Sequence, residues 1–504
     1  MKNLLVLSLI ALLAACAGPK SPEATETGSY SADWESLAKH QASPEWFQDA
    51  KLGIYFHWGV YSVPAYANEW YPRWMHFEGH DIYNHHLETY GHPSEFGYHD
   101  FVPMFKAEYF DAVEWADLFQ KAGARFAGPV AEHHDGFAMW DSDATPWNAA
   151  DMGPKKDITG LLAAELKKRD MKLITTFHHA KQLQRYDSIV TEDHSLYNLS
   201  HFPPFEGMPT VSGDKQLQYL YGNMPEDKWY EEIWYGKLKE VIDQYQPDII
   251  WFDYVLDEIP EEYRQKFSAY YLNEAEKLDK DVVIVRKQED LPINYTVDDL
   301  EKSRKNRIGE EPWMTDETIS KGSWCYTDNL DIKTSADVLH VLIDIVSKNG
   351  VLLLNVSPMA NGIIPENQKQ VLLDIGKWLD AYGESIYETR PWYTFGEGPT
   401  KEPEGHFKNH QEFLKIKYSA KDVRYTTKGD VIYATLLGWP GGGESIMFTA
   451  FAADSLPAPL EIAAVSLMGS DEDLEWDLAE EGLTLTAPLD SPDPLAVVFK
   501  IETR

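Results

Sequence analysis

Cysteine is nearly absent from this chain of 504 residues, which has only Cys16 and Cys325. A disulfide framework is therefore excluded, and stability has to come from core burial, which a chain of this length can supply. Bases are scarce beside acids, 45 against 82, for a formal net charge of -37. A surface so acidic repels phosphate backbones, so no nucleic-acid partner is expected. Long apolar runs are missing too. The longest, Leu4 to Ala15 interrupted by Ser8, is too short to span a bilayer. No HExxH motif and no Cys-His zinc spacing occurs, so no metal is expected.

The short apolar run has a reading of its own. Lys2 gives a positive start, and Leu13-Ala14-Ala15-Cys16 resembles a bacterial lipoprotein cleavage box. Residues 1–15 are expected to be a signal peptide, Cys16 the lipidated first residue of the mature chain, and residues 16–40, rich in Ser, Thr, Glu, Gly and Pro, a flexible tether. The protein is then expected outside the inner membrane, facing the periplasm or the cell surface, and held to a membrane only by lipid.

Beyond the tether the chain alternates strand-like and helix-like runs. "VEWADLFQKA" places Trp115, Leu118, Phe119 and Ala122 on one helical face, with Gly123 as the stop. "TGLLAAELKKRD" and "WYEEIWYGKLKEVIDQYQ" read as helices, the second with a stripe of Trp234, Leu238, Val241, Ile242 and Tyr245. "ARFAGPVAE", "MKLITTF", "DIIWFD", "VVIVRK" and "GVLLLNVSP" read as strands. Polar clusters follow several of these strands: His133-His134-Asp135, His178-His179 and Asp253. A (β/α)8-like barrel collects all its strand C-termini at one mouth, whereas an open sheet uses one crevice, so a barrel over residues 41–395 is expected. From 396 to 504 the runs are short, β-rich and punctuated by Gly, Pro, Asp and Ser, as in an antiparallel β-sandwich. No internal repeat is evident.

The stretch "PDIIWFDYVLDE" carries the sharpest chemical signal. Asp253 stands where a buried strand ends, beside Phe252 and Tyr254 and two residues after Trp251. His57, Trp58, Glu69 and Trp70 sit on and after an earlier strand. Carboxylate and imidazole beside indoles suit a sugar, whose hydroxyls hydrogen-bond while its ring carbons cover aromatic faces. His133 and His134 cannot chelate one ion side by side while they remain in a strand, because neighbours there face opposite ways.

Together "GIYFHWGVYSVPAYANEWY", "HHDGFAMWDS", the strand ending Trp-Phe-Asp and "NGVLLLNVSPMANGIIPENQ" resemble glycoside hydrolase family 29, the α-L-fucosidases. The resemblance implies a barrel followed by a β-sandwich. It also implies exo-acting release of terminal α-L-fucose with retention of configuration, and no organic cofactor or metal. By its motifs Asp253 matches the nucleophile. His57, Glu69, Trp70, His133 and His134 match sugar-binding positions, Trp251 matches an aromatic before the nucleophile, and Trp324 in "SKGSWCYTD" matches a contact near the sugar methyl.

The acid/base in such enzymes lies on a variable segment after the nucleophile. Here that segment offers Glu289, Asp298, Asp299 and Glu301, of which Glu301 is favoured by its spacing. Its followers Lys302, Arg304, Lys305 and Arg307 oppose the raised pKa a proton donor needs, so burial has to outweigh them. There are departures from the pattern. Cys325 replaces a usual Gly, Arg286 or Lys287 in "IVRKQ" supplies the cation, and His178 in "TTFHHA" stands where relatives carry a tyrosine. The expected substrate is a fucosylated glycan. The alternatives are an L-galactose-containing one, cleaved by an exo-α-L-galactosidase of the same family, or a catalytically silent sugar-binding lipoprotein.

The anchor has a direct test. The wild-type protein made in a bacterial host should enter the detergent phase of a cloud-point partition, and Cys16→Ser should abolish this. Wild-type protein in the aqueous phase rules the anchor out.

Overall fold

The computed structural model describes residues 28–183, 215–403 and 410–504. The expected signal peptide and Cys16 lie outside the described residues. Eight parallel strands form the first domain: β1 (Leu52–Phe56), β2 (Phe126–Glu132), β3 (Lys172–Phe177), β4 (Ile249–Phe252), β5 (Val283–Arg286), β6 (Val297–Asp298), β7 (Trp313–Thr318) and β8 (Gly350–Val356). Their order is β6-β5-β4-β3-β2-β1-β8-β7. A parallel bridge from Asp299 to Met314 joins the two ends, with the Leu300 N–H donating to the Met314 carbonyl at 3.0 Å. The sheet is thus a nearly closed barrel.

Six of the eight strands are buried at every residue. Burial on both faces explains why five of these six, all but β7, read as near-continuous apolar runs. Helices cover the outside, among them Ala112–Lys121, Ile158–Lys168 and Glu366–Tyr382. The first begins where Asp111 accepts from the N–H groups of Val113 and Glu114, and it presents Trp115, Leu118 and Phe119 to the core. Gly123 follows it at φ +87°, in the left-handed conformation that a helix stop requires. The stripe through Trp234 and Leu238 is also buried, although its first part, Trp229–Tyr235, is wound as a π-helix before the α-helix Gly236–Tyr245. Gly128 is set by close strand approach: a Cβ there would lie 1.7 Å from the Ile174 carbonyl oxygen of β3.

The sequence reading missed β6 and β7. β6 has two residues, too few for any period. β7 reads "WMTDET" and resembles a loop, yet each of its acids has a buried partner. Asp316 accepts from the Tyr55 hydroxyl at 3.1 Å, and Glu317 pairs with Lys333 at 2.7 Å.

Two boundaries are corrected. Residues 28–40 are not a free tether. Asn273, on the helix Glu261–Lys277, accepts from the Tyr30 N–H and donates to the Tyr30 carbonyl, and Leu37 is buried in the core of the barrel's flank. The expected domain boundary at 395/396 falls inside β9 (Arg390–Glu397), which pairs antiparallel with β10 (Val423–Lys428) and so belongs to the second domain. That domain has a five-stranded sheet, β13-β16-β11-β10-β9, and a three-stranded sheet, β12-β15-β14. The further strands are β11 (Val431–Leu436), β12 (Ser445–Phe448), β13 (Ile462–Leu467), β14 (Trp476–Ala479), β15 (Gly482–Thr486) and β16 (Val497–Thr503). Side chains such as Tyr425, Phe448, Leu483 and Phe499 fill the space between the sheets.

A buried ion cluster joins the domains. Asp344, on the barrel helix Ser335–Ser347, contacts Lys348 at 2.8 Å and Arg424 of β10 at 2.6 Å, while Glu402 pairs with both cations. Asp344→Ala leaves the buried cations Lys348 and Arg424 with Glu402 as their remaining partner in this cluster, and removes the acid that a third buried cation, Arg304, faces at 3.9 Å. It should lower stability by about 3 kcal/mol, read as a drop in the thermal midpoint. An unchanged midpoint contradicts this account of the interface.

Candidate active site

The C-terminal ends of the barrel strands surround a cavity of about 720 Å³, a size suited to one or two sugar units. Asp253 follows β4 directly, and its N–H donates to the Phe177 carbonyl at 3.0 Å, so the strand ladder fixes its backbone. Lys287 follows β5. Its ammonium donates to Asp253 Oδ1 at 2.9 Å, meets Glu301 Oε2 at 2.7 Å and lies 3.7 Å from Asp316 Oδ2. The Asp253 and Glu301 oxygens that share this ammonium are therefore separated by no more than the sum of those two contacts, 5.6 Å.

The two carboxyls are driven apart electrostatically. Burial alone would raise Asp253, but Lys287, His178 and His134 outweigh it and hold the carboxyl well below the ordinary range. His134 Nε2 lies 3.2 Å from Asp253 Oδ2. Glu301 is pushed up to about 7, first by burial and then by Asp316 and Asp253, against the pull of Lys287. The basic run that follows Glu301 does not reverse this, because it turns elsewhere. Lys302 donates to the Gly322 carbonyl and sits over the Trp324 ring, and Arg304 faces Asp344. The competing acids are placed differently: Glu289 is exposed, Asp298 is paired with Arg286 at 2.7 Å, and Asp299 is buried and raised well above its usual range by desolvation and by Asp316.

His57, Glu69, Trp70, His133, His134, His178 and Trp324 also line the cavity. β2 ends at Glu132, so His133 and His134 lie past the strand and both reach the cavity, which removes the argument that strand geometry separates them. Trp70 packs at 4.6 Å on His134, and Trp324 stacks at 5.2 Å on His57. Glu69 accepts from the Trp324 N–H at 3.1 Å, tying the two walls together. Burial holds His57 down to about 3, and it also holds His133 and His178 well below the ordinary imidazole range. One ring nitrogen from each of these three histidines lies within 4.8 Å of the others.

One expected contact is displaced. Trp251 is fully buried beneath the cavity rather than in its wall; its ring meets the Lys287 ammonium at 4.8 Å and His178 at 5.2 Å. It supports these two lining groups from below: strand alternation puts Trp251 and Asp253 on the same side, and Trp251 packs one layer deeper, with Tyr55 and Val285. Tyr254 and Asp316 line the cavity and were missed. Tyr254 follows Asp253 in sequence and was readable from that position. Asp316 was hidden in a strand that reads as loop.

Residues 18–384 match the family model described as Alpha-L-fucosidase, and residues 417–502 match the one described as Alpha-L-fucosidase C-terminal domain. The chain is 31% identical to the tissue alpha-L-fucosidase of Rattus norvegicus, covering 91% of this chain and 88% of that one. It is 30% identical to the tissue alpha-L-fucosidase of Homo sapiens, covering 93% and 90%. Among solved structures it is similar to a Thermotoga maritima alpha-fucosidase in complex with fucose, with a TM-score of 0.73 and 28% identity over 94% of this chain and 100% of that chain.

The raised Glu301 carboxyl should be visible directly. An infrared difference spectrum across neutral pH should show carboxylic acid absorbance lost with a midpoint of about 7, and Glu301→Gln should diminish it, leaving the share of Asp135 and Asp290, which burial also pushes up to about 7. A spectrum unchanged by the substitution contradicts the assignment.

Proposed function

The chain belongs to the α-L-fucosidase family, and from that premise we propose that it is a retaining exo-glycosidase that releases terminal α-L-fucose from fucosylated glycans, with Asp253 as nucleophile and Glu301 as acid/base. The single observation that carries the mechanism is the Lys287 bridge, which limits the two carboxylate oxygens to 5.6 Å. Retaining enzymes place their carboxyls about 5–5.5 Å apart, whereas inverting ones need about 6.5–9.5 Å to admit a water.

In the first step Asp253 attacks the anomeric carbon, and Glu301 gives its proton to the departing oxygen. The C–O bond breaks as the glycosyl ester forms. In the second step Glu301 takes a proton from water, the water oxygen attacks the same carbon, and Asp253 leaves as carboxylate. The electrostatics favour both halves. Ionised Asp253 helps keep Glu301 protonated. Esterification removes that charge and lowers the Glu301 pKa, so the carboxyl ionises and is in the form that can act as base. Lys287 keeps the nucleophile ionised and lies where charge returns to Asp253 when the ester breaks.

The wall of His57, Glu69, Trp70, His133, His134, His178 and Trp324 is proposed to hold the sugar, with imidazoles and carboxylate on hydroxyls and indoles on apolar faces. An extracytoplasmic, lipid-anchored location is part of the same proposal and is supported by the N-terminal segment ending at Cys16. Among the described residues no helix is long and apolar enough to cross a membrane.

The primary test is hydrolysis of 4-nitrophenyl α-L-fucoside beside the α-L-galactoside; turnover of neither defeats the proposal, and preference for the second moves the substrate. Asp253→Asn should cost about 10³-fold or more in kcat, about 4 kcal/mol, with azide restoring turnover as the β-fucosyl azide. Glu301→Ala should accumulate the glycosyl-enzyme on the nitrophenyl substrate and be rescued by azide with retention; rescue in Glu289→Ala, Asp298→Ala or Asp299→Ala instead moves the role.

The pH profile follows from the same charges. Glu301 must carry its proton, so kcat/KM should fall as pH rises through about 7. Asp253 must be ionised and its pKa is depressed, so the acidic limb should lie below the usual carboxylate range. Lys287→Met removes the depressing charge and should move that limb to higher pH, and an unmoved limb excludes Lys287 as its cause.

A further inference from the structure

The three neutral imidazoles on one wall form a donor set that the glycosidase chemistry does not require. His57 follows β1, His133 follows β2 and His178 follows β3, so three adjacent strands each deliver one ring to the same point. Ring centroids are 5.5 Å apart for His57 and His133, 5.4 Å for His57 and His178, and 4.6 Å for His133 and His178. One nitrogen from each lies within 4.8 Å of the others, and all three residues are buried.

The lone pairs are available. Asn355 donates its amide to Thr318 Oγ1 and to the Trp324 carbonyl, which fixes its oxygen towards His57. That oxygen accepts from the His57 N–H and lies 2.8 Å from Nδ1. His57 Nδ1 therefore carries the proton, and the lone pair is on Nε2. This is how a metal-bound histidine is oriented by its outer partner. His133 Nδ1 and His178 Nδ1 are buried with no hydrogen-bond partner among the described residues. The third ring also marks a departure of this sequence, since His178 stands where the family resemblance leads to a tyrosine.

We propose that His57, His133 and His178 bind a divalent transition ion, best fitted by zinc(II), and that ion and sugar exclude each other in this cavity. Three imidazoles with an open fourth position suit zinc, copper or nickel rather than calcium or magnesium, which take oxygen ligands. Around zinc at about 2.0–2.1 Å the nitrogens sit about 3.4 Å apart, so nitrogens now within 4.8 Å of one another have to close by at most about 1.4 Å, a side-chain adjustment. The ion occupies the wall that meets hydroxyls in the proposed function, so it acts as a competitive inhibitor and not as a catalyst. The metal site itself stands on the geometry; only the competition with L-fucose rests on the proposed function.

Zinc chloride titrated calorimetrically into the purified full-length protein near neutral pH should give one saturable site, and cobalt(II) should give the visible bands of a low-coordinate ion. His178→Tyr and His57→Gln should each weaken zinc by about tenfold or more, while His340→Gln, remote from the cavity, should leave it unchanged. Circular dichroism identifies a variant that fails to fold, and the other variant then decides. Absence of saturable zinc binding, or affinity unmoved by both substitutions, overturns the site. L-fucose should raise the apparent zinc Kd. If zinc binding depends on the histidines but ignores L-fucose, mutual exclusion is overturned, whereas the fucoside assay tests the glycosidase reading separately.

Discussion

A single ammonium holds the site together. Lys287 lies within 4 Å of oxygens from Asp253, Glu301 and Asp316, three acids brought by three different parts of the barrel. Removed from water, such acids would take up protons or push apart. With the cation among them, one carboxyl stays ionised while another keeps its proton to about 7. The Trp251 ring beneath the ammonium adds a favourable face and fills space that water would otherwise occupy. Asp253 and Glu301 are thus one electrostatic unit, and their separation is set by what one ammonium can reach.

The barrel exists, from this point of view, to deliver charges to one height. Asp253 gains its position from the last ladder bond of β4, and His178 from a bond of its N–H to the Glu132 carbonyl of β2. A shift between Val130 and Glu132 in the β2–β3 register precedes the His133-His134 pair. Such irregularity at a barrel rim ends pairing and re-aims side chains, and here both histidines face one cavity although they are neighbours in sequence. On the outside, Lys237 pairs with Glu132 at 2.6 Å with both side chains fully buried, tying β2 to the helix Gly236–Tyr245.

Legibility followed burial and period. β1 to β5 and β8 were readable because strands buried on both faces leave apolar runs, and the helices between them because one face is apolar. β7 was not readable, because Asp316, Glu317 and Thr318 are buried through partners distant in sequence: Tyr55, Lys333 and Asn355. β9 carries Trp392 and Phe395 but pairs with a strand about 30 residues on, so its membership of the second domain was not a local property. The opening segment from 28 to 40 looked like tether for the same reason, since its order comes from Asn273 and Leu37's burial rather than from its composition. Among site residues, Asp253 was legible from a carboxylate at a strand end. Glu301 was favoured over Asp298 and Asp299 by spacing alone; what sets the three apart in the structure is what they face, Lys287 for Glu301, Arg286 for Asp298 and Asp316 for Asp299.

The cavity also divides its labour between charged and neutral groups. One side carries Asp253, Lys287, Glu301 and Asp316; the other carries His57, His133 and His178, which burial keeps neutral. A neutral sugar gains little from additional fixed charge, whereas a neutral imidazole can both donate to and accept from a hydroxyl. Imidazolium rings at this wall would also pull the raised Glu301 carboxyl down. Neutral histidines therefore leave the raised Glu301 carboxyl undisturbed, but they place three ring nitrogens close together. The property that would suit this wall to hydroxyl groups is the same one that would suit it to zinc(II), so under the two proposals sugar and ion compete for a single set of nitrogens.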